Sequence, residues 1–164
     1  MSNENLKKLY VDELKDLFSA ESQLLKALPK MAKAASSEVL RSGFEKHLEQ
    51  TNAHVQRLEE ILESLDESPK GKTCHAMKGL IEEGSEMLDQ DGEESVLDAG
   101  IIAAAQKVEH YEMAGYGTVR SFAEILGEMD QADLLENTLD EEKNADAVLT
   151  QISDSANTRA DKAA

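Results

Sequence analysis

Four glutamates stand where the helical pattern of this chain requires leucine: Glu21, Glu109, Glu112 and Glu142. The first helical stretch carries an apolar stripe of Tyr10, Leu14, Leu17, Glu21, Leu24, Leu25 and Leu28. A later stripe reads Ile102, Ala105, Glu109, Glu112, Tyr116, and the last reads Leu135, Leu139, Glu142, Asp146, Leu149. At about 3.6 residues per turn, each carboxylate points where its neighbouring leucines point. A lone ionised carboxylate in an apolar core is too costly to persist, so each must be paired, protonated or bound to a metal. The fold must therefore bring three charged stripes to one polar centre. A helical bundle with a di-metal carboxylate site does this.

Composition suits that architecture. The chain of 164 residues has only two prolines and no tryptophan, and is rich in Ala, Leu, Glu and Lys, which favours an all-α protein. Hydrophobic residues at 40% indicate a packed core despite the 31% charged residues, and we expect one domain over 1–164. A net charge of −17 argues against nucleic acid or an anionic membrane surface as partner, since both require basic patches. No apolar run approaches the ~20 residues of a membrane span, and MSNENLKKLY lacks the apolar core of a signal peptide. The cytoplasm is the expected location. Cys74 is the only cysteine, which excludes an internal disulfide and a thiolate metal site.

Periodicity and punctuation predict helices at about 3–35, 37–65, 73–89, 95–127 and 130–155. Pro29 is expected to kink the first helix near its end, Ser36 or Ser37 to cap the second, and Gly127 to stop the fourth. The tail NTRADKAA is expected to fray. Tight links at 35–37 and 127–129 predict two antiparallel hairpins. The long segment between them, with its short helix, predicts a ferritin-like four-helix bundle with one crossover.

Glu21, Glu109, Glu112 and Glu142 lie near the middle of their helices, where antiparallel neighbours meet at one level. Hard oxygen donors at this density suit iron, with manganese as second choice, and bridging carboxylates hold two ions about 3.5–4 Å apart. Asp146, one turn beyond Glu142, is either a further ligand or a surface residue. The second helix is expected to run its stripe through Phe44, Leu48, Thr51, Val55 and Leu58, with His47, Gln50 and His54 along one edge. Its contribution is read as Gln50 and His54, an amide oxygen and an imidazole, one negative charge short of the usual glutamate–histidine pair. His110 faces away from Glu109 and Glu112; Tyr116 is placed to pack beside the site.

The segments LFSAESQLLKALPKMAKAASS, FEKHLEQT, GLIEE, IIAAAQKVEHYEMAGYGT and LDEEKNADAVL resemble the YciF-type stress proteins, a domain of unknown function. The resemblance runs from about Leu6 to Ile152 and is most specific in AAAQKVEHYE. It implies a ferritin-like, rubrerythrin-like fold, a homodimer, and a role in bacterial stress responses with no firmly assigned reaction. It also implies Glu21, Glu109, Glu112 and Glu142 as metal ligands, and a glutamate in the family where this chain has Gln50. Two functions then compete. One is a di-iron or di-manganese protein acting on a small oxidant, peroxide or dioxygen. The other is a non-catalytic dimeric bundle whose carboxylate cluster is structural or vestigial.

Overall fold

The computed structural model describes residues 3–163, with side chains from Asn5 onward. Five helices make up the chain: α1 (Asn3–Ala34), α2 (Glu38–Ser64), α3 (His75–Leu88), α4 (Glu94–Leu126) and α5 (Met129–Lys162). Ser37 caps α2, its hydroxyl accepting from the Leu40 amide. The Cys74 sulfur does the same for α3 through Met77. Gly127 ends α4 at φ 80°, a left-handed conformation that glycine adopts without a Cβ clash. α1 continues through Pro29 to Ala34.

Cross-helix bonds fix the directions. The hydroxyl of Tyr10 donates to Gln131, joining the starts of α1 and α5, and the amide of Gln131 donates to Ser64 at the end of α2. Asp98, near the start of α4, accepts from Ser36 and Ser37 at the end of α1. The four long helices therefore run up, down, down and up, with α1 against α2 and α4, and α5 against α4 and α2. Because α2 and α4 are parallel, their connection must travel the length of the bundle. α3 makes that journey. Its start is pinned at mid-α1, where Ser19 accepts from the Cys74 amide and Gln23 donates to the Cys74 carbonyl. From there it climbs along α1 and α4 until Met87 meets Gly100. This is the one-crossover connectivity of ferritin-like bundles.

The core falls into two apolar blocks. One contains Leu24, Leu28, Phe44, Ala105, Val108 and Leu149. The other contains Tyr10, Leu17, Leu58, Tyr116, Leu135 and Leu139. On each long helix the chemistry-bearing side chains lie between the two blocks. On α2 the buried residues are Leu40, Phe44, His47, Thr51, His54, Leu58, Ile61 and Leu62. The buried stripe therefore passes through His47 and His54 themselves, whereas Leu48 and Val55 are only half-buried. The tail also differs from expectation. α5 stays helical to Lys162 because Ile152 and Ala156 are buried in the first block, and Arg159 and Lys162 complement the negative end of the helix dipole.

Asp98 carries the corner between α1 and α2. Its buried carboxylate accepts from the Ser36 amide at 2.9 Å, the Ser36 hydroxyl at 2.7 Å and the Ser37 amide at 3.0 Å. Asp98→Ala leaves those donors without their acceptor and should cost about 2–4 kcal/mol in urea unfolding, whereas Asp98→Asn should cost less. Equal stability of the alanine variant and the parent would contradict this role.

Candidate metal centre

Between the two apolar blocks lie two overlapping sets of ligating side chains. His47, Glu109, Glu112 and Glu142 form one, and Glu21, His54 and Glu142 the other; within each set the donor atoms lie within 4.8 Å of one another. Glu142 belongs to both. The His47 ring Nε2 is 3.1 Å from Glu109 and 3.5 Å from Glu142. The His54 ring Nδ1 is 3.0 Å from Glu142 and 3.2 Å from Glu21. These contacts are short but not aligned as hydrogen bonds. Both nitrogens of His47, Nδ1 of His54, both carboxylate oxygens of Glu112 and Glu142, and one oxygen each of Glu21 and Glu109 are buried without a hydrogen-bond partner. Buried polar atoms are normally satisfied, so so many orphans in one layer need a common partner.

A pair of divalent cations fits that requirement. Donor atoms bound to one ion at about 2.0–2.2 Å stand roughly 3–4 Å apart, close to the spacing found here. Four carboxylates also balance the charge of two divalent ions, leaving both imidazoles neutral as ligation requires. The di-iron bundle set is four carboxylates and two histidines. The same complement is present here in another arrangement: α4 supplies two glutamates, α2 two histidines, and α1 and α5 one glutamate each.

Two expected ligands are less deeply placed than the rest. Gln50 is half-buried and lines a cleft beside the cluster, because the inward stripe of α2 passes through His47 and Thr51 instead. The carboxylates nevertheless number four, because α4 supplies both Glu109 and Glu112, and His47 adds a neutral donor on α2. Asp146 lies outside both sets, accepting from Gln106 and pairing at 3.3 Å with the exposed His110. On α5 a step of one turn from Glu142 has already rotated away from the axis. The spacing 40-44-47-51-54-58, if followed as a strict inward stripe, carries the signal for His47. Glu141 had no sequence signal. It accepts from His54 Nε2 at 2.7 Å and is gripped by both Arg57 terminal nitrogens at 2.8 and 3.1 Å.

The electrostatics follow from burial. Desolvation pushes the carboxyls of Glu109 and Glu112 well above the usual carboxylate range, Glu142 adding its repulsion at both, and raises Glu142 as well. Burial alone would lower His54, but the Glu142 and Glu21 carboxylates against its ring outweigh it and raise it to about 10. Without metal, then, a charged His54 serves as counter-ion to shared carboxylates. The Arg57 guanidinium holds Glu141 below its ordinary value, and His54 helps. Burial, then the Glu21 charge, pushes the Tyr116 phenol up; its hydroxyl donates to Glu21 at 2.5 Å.

Known proteins resemble this chain along most of its length. The family described as Domain of unknown function (DUF892) matches residues 5–161, which places the chain in that family. Protein YciF of Escherichia coli (strain K12) is 44% identical over 153 residues, covering 93% of this chain and 92% of that protein. The crystal structure of the E. coli stress protein YciF superposes with a TM-score of 0.90 at 43% identity, over 93% of this chain and 97% of that one. YcfI of Rhodopseudomonas palustris, provisionally described as a structural protein, gives 0.85 at 41% identity over 88% and 92%. A Xanthomonas campestris protein with 18% identity and a TM-score of 0.76, over 94% of each chain, shares the fold.

Two outcomes are expected for the metal-free protein. Glu109, Glu112, Glu142 and His54 all hold protons more tightly folded than unfolded, so stability should fall as pH rises. The loss should begin near the unfolded carboxyl value of about 4.3 and, for His54, run from about 6.5 upward to its folded value. Calorimetry between about pH 5 and about pH 9 should show a declining melting temperature; a rising one would contradict the assignment. The double change Glu109→Leu and Glu142→Leu should flatten that slope and raise metal-free stability by about 1–4 kcal/mol.

Proposed function

We propose that this chain, as a member of the DUF892 family, holds two divalent metal ions in its central layer and handles a small oxidant there, peroxide or dioxygen. Iron is the favoured metal and manganese the second. The observation that carries the reading is the orphaned donor set, four carboxylates and two imidazoles converging in a layer between two apolar blocks. A redox-active ion pair supplies two-electron chemistry toward a small oxidant. What the chain itself would do is hold, orient and dry that pair. Glu142 belongs to both ligand sets and would serve both ions. His47, Glu109 and Glu112 would complete one side, with Glu21 and His54 on the other. Glu141, anchored by Arg57, would keep the proton of His54 on Nε2 and so leave Nδ1 free to ligate. Tyr116 donates to one oxygen of Glu21, leaving the other for an ion.

The YciF relative is described as a stress protein, which supports a role for this chain under stress as well. We carry the expected homodimer with the same proposal. A second reading is a non-catalytic bundle with a structural ion pair. It draws on Thr51, which stands where a glutamate one turn before His54 would give the usual α2 motif. Metal bound stoichiometrically with no consumption of peroxide or dioxygen would favour it.

Protein from iron-supplemented cells should carry about two metal ions per chain by elemental analysis, and content at the buffer level would overturn the proposal. Glu109→Ala should abolish most of that content while circular dichroism still reports a helical bundle. Arg57→Leu or Glu141→Gln should weaken metal affinity by about 10–100-fold without removing a ligand. Affinity should rise with pH, since Glu109, Glu112 and Glu142 must release protons to ligate, and titration calorimetry in buffers of different ionisation enthalpy reads that release directly.

A further inference from the structure

The cluster is not sealed equally on all sides. Glu21, His54, Glu112 and Glu142 are 0% exposed, whereas His47 is 5% and Glu109 3% exposed. Those two side chains form the floor of a cleft of about 90 Å³ between α2 and α5. Its walls are largely apolar, with Phe44 on α2 facing Val148, Leu149 and Ile152 on α5, and Lys46, Gln50 and Asn144 supply the polar part of the lining. Gly43 makes room for it. Glycine inside a helix costs about 0.5–1 kcal/mol relative to alanine, and a Cβ built here would meet only Ile152, at 3.9 Å. The helix therefore gives up stability where a side chain would fill the cleft. Another apolar cleft, between α1, α3 and α4, is about 50 Å³ and has no ligating side chain in its lining.

We propose that the α2–α5 cleft is a binding site opening onto the carboxylate cluster, and that it takes small uncharged molecules with an apolar body and one polar end. A short alkyl hydroperoxide is the oxidant of that class. On the scale where a cavity of about 150 Å³ accepts benzene, this cleft holds roughly four heavy atoms. The apolar walls favour an alkyl body over a purely polar molecule. Glu109 at the floor and the net charge of −17 disfavour anions and outweigh the one Lys46 ammonium, exposed to solvent, in the lining. Gln50, at the cleft wall beside His47, then acts as a neutral hydrogen-bonding group toward the ligand's polar end. This deepens the metal reading only in what the ligand meets at the floor; binding in the cleft itself needs no metal.

The test uses 1-propanol as an unreactive analogue and propionate as its charged counterpart, titrated into isotope-labelled full-length protein with and without metal. Propanol should shift the amide resonances around Gly43, Ala145 and Val148 saturably, with a Kd of about millimolar order for so few atoms. Propionate should bind at least about tenfold more weakly. Gly43→Leu, which fills the cleft and improves helix propensity, should weaken propanol binding by about tenfold or more while metal content stays at the parent level. Ala145→Leu fills the same space from α5 and tests the same point if the first variant does not fold. Propanol shifts centred on Leu80 instead, propionate binding as well as propanol, or undiminished binding in a folded cleft-filled variant would each overturn the proposal. Parent protein that takes up no metal when iron or manganese is supplied, yet still binds propanol in the cleft, would refute the metal reading and leave this one standing.

Discussion

The structure depends on a layer of charge that cuts its hydrophobic core in two. Every long helix contributes to both apolar blocks and to the polar layer between them. An apolar bundle tolerates some sliding of one helix along another, because leucine replaces leucine at each turn. A buried carboxylate does not, because displacement by a turn would place it among side chains that can neither hydrogen-bond nor neutralise it. The layer thus costs stability and specifies alignment. Glu21, His54 and Glu142 meet only when α1, α2 and α5 stand at one register.

The same constraint organises what surrounds the layer. His54 has carboxylates on both edges of its ring, Glu21 and Glu142 at Nδ1 and Glu141 at Nε2. The inner pair is fully buried. The outer one is tied to Arg57, half at the surface, and stays ionised. A gradient therefore runs from solvent to core, from a fixed ion pair through an orienting imidazole to carboxyls whose charge awaits a partner. Above the layer, the Asp98 corner sets where α1 ends and α2 begins, and below it Tyr10 and Gln131 tie the starts of α1 and α5. The polar layer is held from both ends.

Much of this was legible in the chain because helical periodicity is local. The stripes of α1, α4 and α5 identify Glu21, Glu109, Glu112 and Glu142 as inward residues, and the turn chemistry at Ser37 and Gly127 marks the hairpins. α2 was harder, because its stripe is crowded with polar residues that fit either of two neighbouring faces. The structure chooses the face through His47, Thr51 and His54, and Gln50 and Leu48 fall to its flanks. The end of α5 misled for the opposite reason. Its sequence NTRADKAA is polar and small, yet Ala156 just before it is buried in the first apolar block.

The sequence by itself determined the helices, the hairpins, the need for one crossover and the four glutamates that must be neutralised, because each follows from spacing along a single segment. Only the tertiary structure decided which groups neutralise them. His47 joins Glu109 across 62 residues' separation in numbering, Glu141 orients His54, and Asp146 turns aside to His110. Those partners come from other helices, and their approach depends on interhelical rotation, which a single amphipathic stripe constrains only to within a side chain's width.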